Sequence, residues 1–281
     1  MEGPCVINNS INTNSGSMIA LRSLNATNTE LAQTQGRIST GVKVGTAKDD
    51  GAVWAIAQNQ RAASLSLSTV RDSLTRGQSV IDVSLSAGQA VSDLLVQMKA
   101  KALAATDYRL DPTSREALND DFKSLRDQIN KIVGNAEFNG ARLLDTGAPD
   151  LAALANADGS SRITATAQDM SLGQAIVTVT ATDSIGTATT ASAMITAVGS
   201  SILNVSAALA KLGTQSRAFD GQLKFVSLLQ NTTDAGIGNL VDADLAKESA
   251  KLQALQTKQQ LGVQALSIAN TATSMVLGLF K

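Results

Sequence analysis

The sequence predicts a mainly α protein, in which long helices form a rod or coiled coil with a small β-hairpin insertion. Three observations predict this fold class. The prolines are confined to Pro4, Pro112 and Pro149, so long stretches lack the strongest helix breaker. Apolar residues in those stretches recur at alternating spacings of three and four, the heptad pattern of packed helices. Aromatic residues make up only 2% of the chain, which favours thin helix–helix seams over a thick interior.

The first predicted element is a short amphipathic helix near the N-terminus. Leu24, Leu31 and Ile38 are spaced by seven residues, and Leu21 lies beside Leu24. The residues between them are rich in Asn, Thr and Gln, so the apolar face is thin. The helix should end at Gly41, because the glycines and alternating valines of RISTGVKVGTAKDDGA predict an extended connector.

Three longer helices follow the connector. The first keeps heptad spacing from Ile56 to Ala102, and the second begins at Asp111-Pro112, a favourable N-cap followed by proline at the first helical position. The third runs from Ile195 through Val226 and continues beyond it. The apolar residues predicted to form the core between these helices are Leu67, Val70, Leu74, Ile81, Leu95, Phe122, Leu125, Ile129, Leu209, Leu212, Phe219 and Leu223.

Between the second and third long helices the helical spacing disappears, from Asn139 to about Thr190. Asn139-Gly140 and Asp158-Gly159 are turn dipeptides, and SSRITATAQD alternates with a period of two after the second of them. QAIVTVTATD alternates in the same way. This segment is therefore predicted to be a small, surface-exposed β region.

A weaker apolar seam extends to the C-terminus, where polar and small residues such as Gln259 and Gly262 interrupt it. Its members are Leu245, Leu252, Leu255, Leu266, Ala269, Val276 and Phe280. An apolar seam at a free chain end is unusual for a monomer, because termini normally fray into solvent. Rods with such ends are usually completed by another copy of themselves.

Composition argues against most catalytic and ligand-binding functions. The chain has no histidine, and Cys5 is its single cysteine, so a Cys-His nucleophile pair and a zinc motif are excluded. We therefore predict no catalytic site, no metal site and no cofactor. The formal net charge of -1 favours neither nucleic acid nor a membrane surface as a partner. The N-terminal residues also lack the basic and apolar regions of a secretory signal peptide.

Four local features permit a functional and a structural interpretation. Asp242, Asp244 and Glu248 could hold a cation, but acidic residues also favour the start of a helix. Asp49-Asp50 is better explained as a helix cap than as a catalytic pair. Trp54, the single tryptophan, is better explained as a buried anchor than as a ligand platform. Cys5 either lies in a disordered N-terminal tail of no particular function or provides a thiol that crosslinks neighbouring copies.

Several segments resemble bacterial flagellins, in particular the compact flagellins of alphaproteobacteria. NSINTNSGSMIALRSLNATNTEL is similar to the flagellin N-terminus, and RISTGVKVGTAKDDGAVWAIA is similar to the block that follows it. AEFNGARLL matches the Phe-Asn-Gly turn after the second core helix. The segment from GNLVDADLAKE through VLGLF resembles the flagellin C-terminus. The likeness covers both ends and most of the helical core.

The resemblance implies a structural subunit that self-assembles into the flagellar filament, and no enzyme. It implies an inner filament-core domain built from residues 1–41 and 237–281, a rod domain built from residues 42–138 and 191–236, and a β-rich surface region at residues 139–190. It further implies that the long helices run antiparallel and that the fold has paired terminal helices, which mediate polymerisation. Both ends would be largely disordered in the isolated monomer. The residues expected in this terminal pairing surface are Ile11, Leu21, Leu24, Leu31, Ile38, Leu245, Leu252, Leu255, Leu266, Ala269, Val276 and Phe280.

The resemblance also implies partners and a location. The expected partners are other flagellin subunits, the hook–filament junction and cap proteins, an export chaperone and the flagellar type III export apparatus. The mature chain would be secreted and lie in the extracellular filament. Some compact flagellins carry O-linked sugars, although Ser and Thr also simply suit exposed strands. The candidate acceptors are Ser160, Ser161, Thr164, Thr166, Thr178, Thr180, Thr182 and Ser184.

Two alternative functions remain open at the level of sequence. A hook–filament junction protein shares the terminal segments but would assemble only a short ring. A helical binding or signalling module would form no polymer at any salt concentration. The metalloprotease variants of the family need a His-Glu-x-x-His insert, which a chain without histidine cannot supply.

Overall fold

The computed structural model describes residues 13–278, with side chains through residue 271. Its contacts divide the chain into a terminal unit, Met1–Arg61 with Asp234–Lys281, and a central unit, Ala62–Thr233. The helices and strands are α1 (Ser15–Thr40), α2 (Gly51–Ala105), α3 (Pro112–Asn135), β1 (Glu137–Phe138), β2 (Ala141–Arg142), β3 (Leu151–Leu154), β4 (Arg162–Ala165), α4 (Ala188–Val241) and α5 (Leu245–Gly278). The predicted mainly α class with paired terminal helices and a small β insertion is confirmed.

In the central unit, α2 and α4 run antiparallel over one apolar core. Arg71 Nη1 donates a hydrogen bond to Gln230 Oε1 at 3.4 Å, and Gln78 Nε2 donates to Ser216 Oγ at 2.7 Å. Residue numbers therefore fall along α4 as they rise along α2. Bulky side chains from α2, α3 and α4 lie in this core with almost no exposure, among them Leu74, Leu95, Phe122, Leu212 and Phe219.

The third helix of the central unit begins as its sequence predicts. Asp111 is the N-cap of α3, its side chain accepting a hydrogen bond from the Ser114 N–H, and Pro112 occupies the first turn. Asn119, on the next turns, is buried and its Oδ1 accepts from the Ile185 N–H at 2.8 Å. This bond fixes the segment that leads into α4 against α3.

The β region consists of two short hairpins. β1 and β2 pair across Asn139 and Gly140, whose φ values of 51° and 81° suit a two-residue hairpin turn. β3 and β4 pair antiparallel, and Gly159, in the loop between them, has φ 73°. Both predicted turn dipeptides therefore lie between paired strands.

The strand expected from QAIVTVTATD is wrong. Residues 174–183 form no β-strand, and Val177 makes only an isolated parallel bridge with Leu172. Val177 and Val179 are fully buried, and the Thr178 N–H donates to Ser201 Oγ on α4 at 3.0 Å. The alternation therefore reports burial of every second residue against the core rather than pairing with another strand.

A separate small core lies in the terminal unit. Val44, Ala57, Ile237 and Val241 are buried there, and Trp54 packs partly buried against them. Beside this core the extended connector pairs its backbone with the end of α4: the Lys43 N–H donates to Val241 O at 2.7 Å, and the Ala243 N–H donates to Gly41 O at 2.9 Å. Of the predicted extended connector, Val42 pairs with Asp242 as an isolated bridge, whereas residues 47–49 form a turn.

The compact units differ from the predicted domain division. Residues 42–61 and 234–236 were expected in the rod domain, but they belong to the terminal unit. The backbone pairing of the connector with Val241 and the packing of Ala57 against Ile237 explain the difference. In the structure, Ser15–Thr40 and Leu245–Gly278 are helices that pair within one chain.

Two helices are long and apolar enough, by composition, to cross a membrane. They are α2 and α4, each with an 18-residue window of mean hydropathy 1.2 or 1.6. In α2 and α4, residues such as Ile81, Leu95, Val198 and Leu212 line the core of the central unit. The core helices of proteins in water can have the same length and composition, so these two properties alone do not show that either helix spans a membrane.

Candidate functional site

The two terminal helices pack along complementary heptad seams. On each helix, the less exposed residues recur at alternating spacings of three and four, which keeps one face toward the partner. The seam of α1 consists of Ser17, Ala20, Leu24, Thr27, Leu31, Thr34 and Ile38. The seam of α5 consists of Glu248, Leu252, Leu255, Gln259, Gly262, Leu266 and Ala269.

Polar and small residues make this seam narrow. Thr27 and Thr34 are only 3% and 1% exposed, although leucine would be the usual residue at such positions. The Thr27 hydroxyl donates to Ser23 O at 2.9 Å, so burial leaves it paired. Gly262 lets α1 approach closely, because a Cβ there would lie 3.2 Å from Leu24 Cδ1. The pair is therefore held by close packing with little apolar volume.

Polar contacts at four levels fix the antiparallel register. Asn14 Nδ2 donates to Ala269 O at 2.7 Å, and Ser17 Oγ donates to Asn270 Oδ1 at 2.6 Å. Further along, Gln259 Nε2 donates to Asn28 Oδ1 at 2.7 Å. At the other end, Arg37 Nη1 lies 3.3 Å from Glu248 Oε1 as an ion pair. A shift by one turn would break all of these contacts, so they specify one register.

The outward apolar residues of the pair are concentrated at one end. Met18, Ile19 and Leu21 are 63%, 70% and 47% exposed on α1, and the antiparallel register brings them level with the exposed residues of α5. We call this set the terminal collar: Met18, Ile19, Leu21, Leu261, Val263 and Ile268. Exposed apolar residues concentrated at one end of a helix pair are characteristic of an interaction site.

The predicted pairing residues fall into three groups. Leu24, Leu31, Ile38, Leu252, Leu255, Leu266 and Ala269 lie in the seam. Leu21 and Leu245 are 47% and 49% exposed, outside it. The seam passes through Ala20 and Leu24 and leaves Leu21 largely outward, so its place in a pairing surface stays a prediction. Ile11, Phe280 and Cys5 lie outside the described residues, and so does the side chain of Val276.

The sequence prediction missed two kinds of residue. Thr27 and Thr34 occupy seam positions, and their heptad spacing with Leu24 and Leu31 was the signal that could have found them. Met18, Ile19, Leu261, Val263 and Ile268 are apolar but off the seam, so a search for a single stripe passes over them.

The predicted core residues of the rod lie in the core of the central unit. Leu67, Val70, Leu74, Ile81, Leu95, Phe122, Ile129, Leu212 and Phe219 are buried, and Leu125, Leu209 and Leu223 pack against them half-buried. They are structural residues, with no reactive group among them.

Beside the connector, the terminal unit contains an open cavity of about 620 Å³ lined by charged and apolar residues. Its lining includes Arg37, Lys43, Asp49, Lys247 and Glu248. The Asp49 carboxylate accepts from the Thr46 N–H at 2.9 Å, the Thr46 hydroxyl and the Gly45 N–H, and these bonds hold the pKa of Asp49 below its ordinary value of 3.8. Arg37 Nε and Glu248 Oε2 are buried without a hydrogen-bond partner among the described residues.

The acidic residues around this cavity have structural roles. Asp50 Oδ1 accepts from the N–H groups of Ala52 and Val53 and caps α2, which confirms the predicted cap. Asp244 Oδ1 accepts from the Ala246 and Lys247 N–H groups at the start of α5. Within the described residues, no group of three or more His, Cys, Asp or Glu side chains could hold a metal ion. The carboxylates of Asp49, Asp50 and Asp244 are therefore explained by their hydrogen bonds to N–H groups of a turn and of two helix starts.

Candidate sugar acceptors lie in the β region of the central unit. All except half-buried Ser184 are exposed. Thr178 Oγ1 donates to Ala197 O at 3.0 Å, and Thr180 Oγ1 pairs with Thr182 Oγ1 at 3.2 Å. Ser161, Thr164 and Thr166 lie on or beside β4. Within the described residues their hydroxyl groups make no hydrogen bond, although the Ser161 N–H donates to Asn156 Oδ1 and Thr166 O accepts from Gln168 Nε2.

Comparison with known proteins gives a consistent result along most of the chain. Residues 11–149 match the family described as "Bacterial flagellin N-terminal helical region", and residues 195–280 match "Bacterial flagellin C-terminal helical region". Flagellin FljM of Caulobacter vibrioides is 56% identical over 273 residues, covering 97% of this chain and 99% of FljM. The flagellin of Brucella melitensis is 35% identical over 290 residues, with 97% and 99% coverage.

A solved structure shows similarity at the level of fold. The putative flagellar hook-associated protein from Vibrio parahaemolyticus aligns with a TM-score of 0.58 at 13% identity. The alignment covers 69% of this chain and 100% of that protein.

Proposed function

This chain belongs to the bacterial flagellins and is a structural subunit of the flagellar filament, and we propose that it joins neighbouring copies through the terminal collar. The observation that carries the proposal is the exposure of Leu261, Val263 and Ile268, which lie off the face of α5 that α1 already occupies. Burial of apolar surface stabilises association by roughly 25 cal/mol per Å². Packing of collars from several copies would therefore hold the subunits together.

Assembly through the collar would also stabilise the terminal helices, which already pair within one chain. The seam between α1 and α5 buries few large side chains, and ordering a backbone residue costs about 1–2 kcal/mol. Intersubunit contacts at the collar add apolar burial that one chain lacks. In this proposal, pairing of the ends and assembly of the filament are coupled, and the seam residues contribute to polymerisation by presenting the collar.

The remaining partners follow from the family. Flagellin subunits are the partners in the filament, and several Caulobacter relatives are similar to this chain along nearly its whole length. We extend the proposal to the hook–filament junction and cap proteins at the filament ends. We also extend it to an export chaperone and the type III apparatus, which would carry the chain to the extracellular filament. We assign the chain a structural role and no enzymatic one.

The test is polymerisation of purified chain on sonicated filament fragments. The wild type should extend the fragments into long filaments visible by negative-stain electron microscopy. Ile268→Ser should reduce the elongation rate about tenfold, because it removes an exposed apolar side chain from the collar while leaving the seam intact. Leu65→Ser is the matched control, since Leu65 is 69% exposed and Ile268 is 70% exposed, and Leu65 belongs to the central unit.

Two outcomes would count against the proposal. Elongation of Ile268→Ser at the wild-type rate would show that the collar does not mediate the contact. Wild-type chain that forms only short rings, even on fragments, would indicate a hook–filament junction protein instead of a filament subunit.

We further propose that Ser161, Thr164 and Thr166 are the preferred acceptors if the filament is glycosylated. Their exposed hydroxyls make no side-chain hydrogen bond in the described residues, whereas Thr178 and Thr180 use theirs within the fold. Peptide mass spectrometry of filaments from the producing bacterium tests this assignment. Glycans on Thr178 or Thr180, with Ser161, Thr164 and Thr166 unmodified, would contradict it.

A further inference from the structure

The break between α4 and α5 is short, and its sequence contains no helix-breaking residue. Residues 242–244, Asp-Ala-Asp, separate the end of α4 at Val241 from the start of α5 at Leu245. Neither proline nor glycine occurs between Gly238 and Gly262. These two residues are the ones that most often interrupt a helix. The local sequence therefore does not account for the break.

The connector, residues 41–50, engages the carbonyl of Val241. In an uninterrupted helix this carbonyl would accept a hydrogen bond from the Leu245 N–H, four residues later. In the structure it accepts from the Lys43 N–H at 2.7 Å and from the Val44 N–H at 3.3 Å. A carbonyl oxygen has two lone pairs, so both are engaged by the connector. One helical hydrogen bond is thereby displaced.

A second helical hydrogen bond is displaced at Ala243. In an uninterrupted helix its N–H would donate to Asn239 O, but here it donates to Gly41 O at 2.9 Å. Asn239 O accepts instead from Lys43 Nζ at 3.0 Å. The Ala243 N–H and Asn239 O thus have a partner in either arrangement, and an exchange between the two leaves neither of them unpaired.

Asp244 is compatible with both arrangements. Its Oδ1 accepts from the N–H groups of Ala246 and Lys247 and caps the start of α5. In an uninterrupted helix the same N–H groups would bond to the carbonyls of residues 242 and 243. Aspartate is a weaker helix former than alanine, but it is tolerated inside a helix. Asp244 therefore favours the break without requiring it.

Few apolar contacts hold the connector in place. Val44 is 7% exposed and is the connector's member of the small core of the terminal unit. Its partners there, Ala57, Ile237 and Val241, belong to α2 and α4. Burial of one valine, with hydrogen bonds exchanged for others, gives the connector a modest advantage over the uninterrupted helix.

We propose that the connector creates the break, and that residues 234–278 form one continuous helix when the connector leaves Val241. The junction is then a conformational switch with two hydrogen-bonded states. The connector follows directly on Thr40, the last residue of α1, so the position of the N-terminal helix is coupled to the shape of the C-terminal one. A partner that draws α1 and the connector away straightens the C-terminal helix. This switch is a property of the single chain and goes beyond the proposed function.

Nuclear magnetic resonance of the monomer tests the switch, because ¹³Cα chemical shifts distinguish helical from extended backbone. Lys43→Pro with Val44→Pro removes both N–H donors to Val241 O and the ammonium group on Asn239 O. We expect the shifts of residues 242–244 to move to helical values, while those of residues 246–260 stay helical. Ala47→Pro is the control, because it places a proline in the same connector at an N–H that makes no hydrogen bond within the described residues. Its shifts at residues 242–244 should equal those of the wild type.

A second variant avoids proline. Val44→Asp places a charge in the small core and should also move the shifts of residues 242–244 to helical values, whereas Val96→Asp, at a side chain 54% exposed in the central unit, should not. Extended shifts at residues 242–244 in the double-proline variant would overturn the proposal, because the break would then be local. Loss of helical shifts across residues 246–260 would also overturn it, because the C-terminal helix would then need the connector in order to fold. Failure of the wild type to polymerise would contradict the proposed function and leave these shifts unaffected.

Discussion

Gly77 on α2 shows how a single residue sets the distance between two helices. A Cβ at this position would lie 2.6 Å from Cε1 of Phe219, a ring that is 1% exposed in the core of the central unit. Gly88 makes a similar approach, with Leu209 Cδ2 2.8 Å from the position of its missing Cβ. Both glycines face large side chains of α4, and the missing Cβ atoms leave the space that these side chains occupy.

We expect Gly77→Ala to destabilise the central unit. Alanine favours the helix over glycine by about 1 kcal/mol, but overpacking a close-packed core costs about 1–3 kcal/mol, and the buried ring of Phe219 has no free space to occupy. The net loss should be about 1 kcal/mol in the free energy of unfolding, measured by urea denaturation of the monomer. Gly213→Ala is the control, because no atom lies within 4 Å of its missing Cβ and the substitution should stabilise α4. Equal stabilisation by both substitutions would contradict this account.

Among the elements, α3 depends on its N-cap, Asp111, which precedes the first helical residue. The Asp111 carboxylate accepts from the Ser114 N–H at 3.0 Å, ahead of Pro112. Hydrogen bonds from the Ser114 side chain and then its backbone hold the pKa of Asp111 below its ordinary value of 3.8. A carboxyl with a lowered pKa in the folded state contributes stability above pH 3.8, and loses that contribution as the pH falls through the lowered value.

We therefore expect Asp111→Ala to be less stable than the wild type at pH 7, by an amount that shrinks as the pH falls below 3.8. Asp111→Asn should keep much of the cap, since asparagine is also a favourable N-cap, but without a titrating group. Thermal unfolding of the wild type and the two variants between pH 2 and pH 7 measures the differences in stability. The other carboxyls are present in all three proteins, so their titration cancels when each variant is compared with the wild type. A constant gap between wild type and Asp111→Ala across this range would refute the role of the ionised cap.

At the scale of the whole molecule, the two units differ in how much apolar surface they bury. The core of the central unit includes large side chains from α2, α3 and α4, whereas the separate core of the terminal unit is built around Val44, Ala57, Ile237 and Val241. The seam of α1 and α5 includes polar Thr27, Thr34 and Gln259. The units should therefore open with different free energies.

We expect hydrogen exchange in the monomer to be faster in α1 and α5 than in α3. Assembly into filaments should slow exchange in both terminal helices, because the collar then adds buried apolar contacts. Amides of residues 119–133 in α3 serve as the internal reference and should change little. Equal protection of all three helices in the monomer would show that the terminal seam is stable without neighbours.

The sequence by itself determined the helices, their caps and the turns. Heptad spacing, the scarcity of proline, Asp111-Pro112 and Asn139-Gly140 act through neighbouring residues, so their effect can be read without knowing the fold. Only the tertiary structure decided whether an apolar residue faces a partner, the core or solvent. QAIVTVTATD alternates because α4 buries Val177 and Val179, and Leu21 is outward because the seam passes through Ala20. The physical reason is that burial is a property of the surface an element meets, and periodicity gives only the face that can meet it.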